Sequence, residues 1–280
     1  MKFAKCHGAG NDFIVVDGRQ LERDWHDLAI RMCDRHLGVG SDGIILVAHS
    51  DRAHLRMRMF NPDGSEAEAC GNGLRCFVKY AVDSRLVAQA TFQVETKSGV
   101  RAVTAFPGDG APVTEADVGM GTPRFRPDEI PANVEGVEVP ILSLPLEVLD
   151  RTIPVSLVSM GNPHAVAFLD QSVNTFPLER FGPAAEHHAV FPARINFEIA
   201  RVIGRHDINA RVWERGAGET LACGSGACAI AVAAQLRGYC DAPVRVHLPG
   251  GILTVTWDGR GGEAVLRGPV QHVFTGDWPD

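Results

Sequence analysis

Apolar positions along the chain recur mostly with a period of two, in short β-branched runs bounded by glycine, proline, asparagine or aspartate. Residues 13–16, 44–47, 55–60, 92–95 and 100–106 read this way, and so do 155–159, 166–169, 195–203, 210–213, 244–248 and 253–257. Such alternation predicts half-buried strands. Three segments depart from it. Asp24 can cap a helix over 25–36. Residues 74–86 and 227–236 are apolar on most faces, which predicts buried helices. The expected fold is therefore α+β, with two pseudo-symmetric domains. Each would be a mostly antiparallel or mixed sheet wrapped around a central buried helix.

A repeat supports the division into halves. Ala69-Cys70-Gly71-Asn72-Gly73 returns 153 positions later as Ala222-Cys223-Gly224-Ser225-Gly226. At the same offset Arg58 matches Arg211, Phe60 matches Trp213 and Glu66 matches Glu219. Gly10-Asn11 and Gly161-Asn162 each head an apolar strand at nearly that spacing. A period of domain length points to duplication rather than to a solenoid. The stretch 121–154 holds Pro123, Pro127, Pro131, Pro140, Pro145 and Pro154, residues that interrupt interior helix and sheet pairing. The expected organisation is a first half over 1–120, with 266–280 returning to it, a proline-rich linker with edge strands over 121–154, and a second half over 155–265.

Composition narrows the function. With 45% hydrophobic and 22% charged residues over 280 positions, the chain is ordinary for a folded globular protein, which argues against disorder. The net charge is −7 and the lysines are Lys2, Lys5, Lys79 and Lys97, so there is no basic excess for a nucleic-acid partner. Arg52, Arg56 and Arg58 alternate with apolar residues and read as the wet face of a strand. The longest apolar runs, 43–48 and 227–236, are shorter than the ~18 residues a membrane span needs. The amino terminus shows no signal-peptide core, so a cytoplasmic location is expected. Seven cysteines, an odd number, suggest free thiols in a reducing compartment. There is no C-x-x-C, and His187-His188 has no H-E-x-x-H context, so no metal is expected.

Cys-Gly-x-Gly at a strand-to-helix turn carries chemistry. The glycines permit close approach to the backbone, and the first helical amides favour a carboxylate or phosphate. A helix terminus also lowers the pKa of a nearby thiol. A thiol of pKa 8.5 is about 3% thiolate at pH 7, and a drop of one unit raises that to about a quarter. Either cysteine alone could equally be a small buried apolar residue. Two of them in matched turns suit the inversion of a stereocentre beside a carboxylate, where one face loses a proton and the other gains one. This needs no pyridoxal cofactor. Of the four lysines, Lys79 alone lies near a motif for a Schiff-base route.

Further motifs stand with these: His7-Gly8-x-Gly10-Asn11-Asp12, Asn61-Pro62-Asp63-Gly64-Ser65, Arg75-Cys76 after the first cysteine turn, Gly161-Asn162-Pro163-His164, and Trp213-Glu214-Arg215-Gly216. Together, in this order, they resemble the diaminopimelate epimerase family over 5–276. The resemblance implies an isomerase that interconverts LL- and meso-2,6-diaminopimelate in lysine and peptidoglycan precursor synthesis. It also implies no cofactor, a homodimer, and two domains that close over the substrate. Cys70 would be the acid and Cys223 the base, exchanging roles when the reaction reverses. His164 would tune Cys70, and Glu214 would tune Cys223. The amides of Gly71, Asn72, Gly224 and Ser225 would meet the reacting end of the substrate. Asn11, Asn61, Asn162, Asn196, Glu214 and Arg215 match substrate contacts. Two positions depart from the family pattern. Gly43 stands where some relatives carry glutamine, and Phe274 stands where relatives often carry tyrosine at a dimer contact. Cys6, Cys33, Cys76, Cys228 and Cys240 read as structural. Two other readings stay open: a proline or hydroxyproline racemase, and a non-catalytic anion-binding protein with a redox-sensitive cysteine pair.

Overall fold

The computed structural model describes residues 1–67, 70–107 and 112–279. The chain forms two compact units, Met1–Gly119 with Arg267–Asp280, and Met120–Leu266.

The first unit contains β1 (Lys2–Gly8), β2 (Asn11–Asp17), α1 (Trp25–Cys33), β3 (Ile44–Ala48), β4 (Leu55–Phe60), β5 (Glu66–Ala67), α2 (Gly71–Asp83), β6 (Thr91–Thr96), β7 (Gly99–Pro107) and β8 (Val113–Gly119). The C-terminal strand Gln271–Asp277 pairs antiparallel with β1. From there the pairing runs antiparallel to β2, parallel to β3 and antiparallel to β4. It continues parallel to β6, then antiparallel to β7 and β8. A two-residue turn joins β1 to β2. Ala9 and Gly10 both take positive φ, 53° and 85°, the left-handed pair that matches the twist of a tight hairpin.

The second unit contains β9 (Leu144–Val148), β10 (Arg151–Ser159), β11 (Pro163–Phe168), α3 (Leu178–Glu186), β12 (Asn196–Gly204), β13 (Asp207–Glu214), β14 (Gly218–Thr220), α4 (Gly224–Leu236), β15 (Val244–Leu248) and β16 (Gly251–Thr256). Its pairing repeats the order of the first unit. β9, β10 and β11 are antiparallel, β11 and β12 parallel, β12 and β13 antiparallel, β13 and β15 parallel, and β15 and β16 antiparallel. The repeat extends to register. Phe60 faces Glu66 across β4 and β5, and Trp213 faces Glu219 across β13 and β14. Arg58 Nε donates to Glu66 at 2.8 Å, and Arg211 Nε donates to Glu219 at 2.7 Å. The two halves share the expected α+β, pseudo-symmetric plan.

In each unit the sheet wraps a buried helix. α2 packs on β1, β2, β3, β4, β7 and β8, and α4 packs on β10, β11, β12, β15 and β16. Every residue of α4 from Gly226 to Ala234 is buried. Each side chain the size of Ile230 or Val232 gains about 1.5–3 kcal/mol from leaving water. Both helices begin three residues before the apolar pattern starts, because the glycines after each cysteine already lie in the first turn. α1 stops at Cys33 rather than at 36. The Asp34 carboxylate accepts from the amides of His36 and Leu37, both at 2.7 Å, and so turns the chain away. α3 is not evident from the sequence, since it contains Gly182 and Pro183. Ile130, Ile141 and Leu146 from the proline-rich stretch are buried in the second unit with Phe181 and Phe197. Among the described residues, no helix is long and apolar enough to cross a membrane.

Gly182 lies against the Trp213 indole, and a Cβ there would come within 2.4 Å of Cδ2. Gly182→Ala is expected to lower the unfolding free energy by about 1–3 kcal/mol through overpacking, measured by urea denaturation. An unchanged midpoint would mean that α3 does not depend on this contact.

Candidate active site

Cys70 is the N-cap of α2, with extended backbone angles of −102° and 133°. The first amide that bonds back into the helix is that of Leu74, to the Cys70 carbonyl at 2.8 Å. The amides of Gly71, Asn72 and Gly73 therefore precede the helical ladder. Ala69 of the motif lies outside the described residues. The Cys70 thiol donates to Asn11 Oδ1 at 3.7 Å, and Asn72 Nδ2 donates to the same oxygen at 3.3 Å. Asn11 is held from behind, where its Nδ2 donates to Asp42 at 2.6 Å. Arg35 links Asp42 to Asp12 at 2.7 and 2.8 Å, and Lys5 closes the network on Asp12. Burial alone would raise the Asp12 carboxyl, but Arg35 and Lys5 hold it below its ordinary value. Arg75 is fully buried in α2. It donates to Asn72 Oδ1 at 2.7 Å and reaches the Pro269 carbonyl at 3.2 Å, tying the asparagine to the chain's returning segment.

Asn61 opens the expected turn. Its amide bonds the Ser65 carbonyl at 2.9 Å, and its Nδ2 donates to the Ser65 hydroxyl at 3.0 Å. Gly64 has φ +85°, and a Cβ there would meet His26 Nδ1 at 2.4 Å, so the turn requires glycine. At Gly43 a Cβ would lie 2.7 Å from the Phe60 carbonyl oxygen. This position is closed to a longer side chain.

Cys223 caps α4 in the same conformation but with a different environment. Its sulfur accepts from the Gly226 amide at 3.4 Å and lies 3.5 Å from Ser225 Oγ. Asn162 Nδ2 donates to Ser225 Oγ at 3.2 Å, and Asn162 Oδ1 is 3.0 Å from His164 Nε2. His164 Nδ1 is 2.7 Å from Glu198 Oε1, with both side chains fully buried. His164 thus belongs to the unit that carries Cys223, and both its ring nitrogens are engaged there. Asn196 is 3% exposed, and both ends of its amide are taken: Nδ2 donates to the Pro163 carbonyl at 2.8 Å, and Oδ1 accepts from the Arg215 amide at 2.9 Å. It fixes the Glu214-Arg215 turn. Glu214 accepts from Thr220 Oγ1, and the Arg215 guanidinium donates to the Ala193 carbonyl at 3.0 Å.

Burial first, and then the Glu214 charge, push the Cys223 thiol well above its ordinary value, against the opposing bonds from Ser225 and Gly226. The expectation that a helix terminus depresses the thiol therefore does not hold for this residue. Desolvation penalises the thiolate more than one helical amide favours it. Cys70 is half-buried, whereas the other six cysteines are buried.

Two site residues have no sequence motif. Glu198 lies two positions beyond Asn196 on the same apolar strand. A lone carboxylate on a buried strand face was the signal that could have found it. Glu186 ends α3, a helix hidden by its glycine and proline. It accepts from Trp213 Nε1 at 2.8 Å and from the Gly216 amide at 2.9 Å, and so pins the turn that presents Glu214 and Arg215. Among the described residues, no three His, Cys, Asp or Glu side chains group as a metal site requires.

The family model described as diaminopimelate epimerase matches residues 3–126 and 156–273. The diaminopimelate epimerase of Heliobacterium modesticaldum is 43% identical over 283 residues, covering 100% of both chains. That of Moorella thermoacetica is 44% identical over 284 residues, covering 100% of this chain and 99% of its own. Among solved structures, a hydroxyproline epimerase from Agrobacterium vitis with bound trans-4-hydroxy-L-proline has a TM-score of 0.72 at 15% identity. It covers 99% of this chain and 91% of its own. At that identity the likeness is one of fold.

Glu186→Ala removes the acceptor for Trp213 Nε1, the Gly216 amide and Arg194 and is expected to destabilise the chain by about 1–3 kcal/mol, read by urea denaturation. Stability equal to that of the parent would show that the turn holds without it. A second prediction concerns pH. Burial pushes the Cys6 thiol up to about 11 from an ordinary 9. A raised folded value means that the folded chain keeps this proton longer than the unfolded chain does. The associated stability is whole below pH ~9 and is lost as pH rises towards ~11, in total about 2–3 kcal/mol. Urea unfolding between pH 8 and 10.5 should show a steeper decline in the parent than in Cys6→Ala. Parallel declines would refute the assignment.

Proposed function

The chain belongs to the diaminopimelate epimerase family, and on that premise we propose that it inverts one α-carbon of LL-2,6-diaminopimelate to give the meso isomer, using two thiols and no cofactor. The observation that carries this reading is the pairing itself. In each unit a cysteine in extended conformation caps a buried helix, with glycine in the first turn and the same strand register alongside.

In the proposed reaction one sulfur, as thiolate, takes the α-proton, and the other, as thiol, delivers a proton to the opposite face. The electron pair released from the C–H bond moves towards the α-carboxylate. The helix-terminal amides of Gly71, Asn72, Gly224 and Ser225 are assigned to that carboxylate, where donors fixed in advance stabilise charge as it develops. Arg215 suits the distal carboxylate through paired N–H donors. Glu214 and the carbonyls of Asn11, Asn61 and Asn162 suit an ammonium group. Asn196 acts by holding Arg215 in place. Cys70 serves as acid and Cys223 as base in one direction, and the roles exchange in the other. Glu214 and His164 tune the thiols. We further propose a homodimer that works in the cytoplasm, with Phe274 at the contact. Its ring is 43% exposed on the C-terminal strand and stacks edge-on against Phe3 at 6.1 Å.

Exchange in deuterated water tests the reading. The parent should place deuterium at the α-carbon of diaminopimelate and leave proline unlabelled. Cys70→Ser and Cys223→Ser should each lose about 10²–10⁴-fold in turnover, the usual contribution of a general acid or base. Label entering proline instead would favour the racemase reading. Tight binding with no exchange at all would favour a binding protein.

A further inference from the structure

We propose that Glu198 is a positioning residue for Cys223, which acts through His164, Asn162 and Ser225 to aim a hydrogen-bond donor at the thiol sulfur. This rests on the reading of Cys223 as an acid–base group.

The geometry is a continuous chain inside one unit. Glu198 Oε1 to His164 Nδ1 is 2.7 Å, His164 Nε2 to Asn162 Oδ1 is 3.0 Å, Asn162 Nδ2 to Ser225 Oγ is 3.2 Å, and Ser225 Oγ to Cys223 Sγ is 3.5 Å. Accounting for donors sets its sense. Asn162 turns its carbonyl oxygen to the ring, so His164 Nε2 carries a hydrogen. The other ring nitrogen and Glu198 share a second proton. Asn162 then donates to Ser225, which leaves the serine hydroxyl hydrogen to point at sulfur. The Gly226 amide donates to the same sulfur at 3.4 Å.

Glu198 is suited to start such a chain. It is fully buried, and its Oε2 has no hydrogen-bond partner among the described residues. Burial raises its carboxyl, opposed by His164. It also reaches the helix end directly, since a Cβ on Gly226 would lie 3.1 Å from Glu198 Oε1 and 3.4 Å from the sulfur. A side chain at Gly226 would be a tight fit where the carboxylate, the thiol and the first turn of α4 converge. Among the described residues, the charges that bear on Cys223 are Glu214 of β13 and Glu198 of β12, with His164 of β11 paired to the latter. Both carboxylates oppose the thiolate. The polarised chain supplies the opposing donor, and without Glu198 the ring is free to take the other tautomer, which turns the amide of Asn162 and withdraws the donor.

The test uses the full chain in two measurements. Nitrogen-15 spectra of histidine-labelled protein, with His164 assigned through His164→Gln, should show a protonated Nε2 at neutral and mildly alkaline pH. The pH profile of turnover is then compared among the parent, Glu198→Met, Ser225→Ala and the double variant. In both single variants the limb that reports the Cys223 thiolate should move up, by about one pH unit in Ser225→Ala and by less in Glu198→Met, which also removes an opposing charge, with no further rise in the double variant. A bare Nε2 in the folded parent, unshifted profiles, or shifts that add in the double variant would overturn the proposal. If Glu198→Met does not fold, the spectrum of the parent and the Ser225→Ala profile decide. Failure of the functional reading would appear separately, as absence of α-carbon exchange in the parent, while the spectra would still report the sense of the chain.

Discussion

The first turn of a helix carries amide groups that no carbonyl of that helix can satisfy, and when the helix is the core of its domain those amides cannot all turn to water. Both units answer this constraint in the same way. A cysteine in extended conformation caps the helix, and glycines fill the first turn so that other groups can approach the backbone. Sheet strands then surround the rest of the helix. The thiols owe their location to this arrangement. A cap residue is held by the backbone on both sides, so its sulfur is fixed beside the helix end without a long side chain to order.

From this shared backbone the two centres have diverged electrostatically. Around Cys70 the neighbours are amides backed by a charged network, with Asp42, Arg35, Asp12 and Lys5 fixing Asn11. The thiol is half-buried and gives its hydrogen to an amide oxygen. Around Cys223 the sulfur is buried, receives a backbone hydrogen, and feels two carboxylates. Unequal surroundings set which of two thiols gives up its proton more readily.

The supporting residues show how such differences are held in place. Glu186, Asn196 and Arg75 each commit polar atoms inside their own unit, and each bonds another residue of a motif. Their substitution would be felt through geometry. Holding a reacting group within a fraction of an ångström depends on neighbours of this kind.

Period-two patterning and the 153-residue echo were enough to show two α+β halves with a buried helix in each, since alternation and apolar helical runs are local properties of the chain. The paired Cys-Gly turns and the ordered motifs pointed to the same chemistry. Helix starts were misplaced because glycines hide a first turn, α1 was cut short by a side-chain turn at Asp34, and α3 was masked by Gly182 and Pro183. What only the tertiary structure decided was the company of each group. It brought Glu198 to His164 and Glu186 to the Glu214-Arg215 turn, and it turned the helix-end expectation for Cys223 into a raised pKa. Burial and the distance between charges arise from residues remote in the chain, and no spacing along the sequence encodes them.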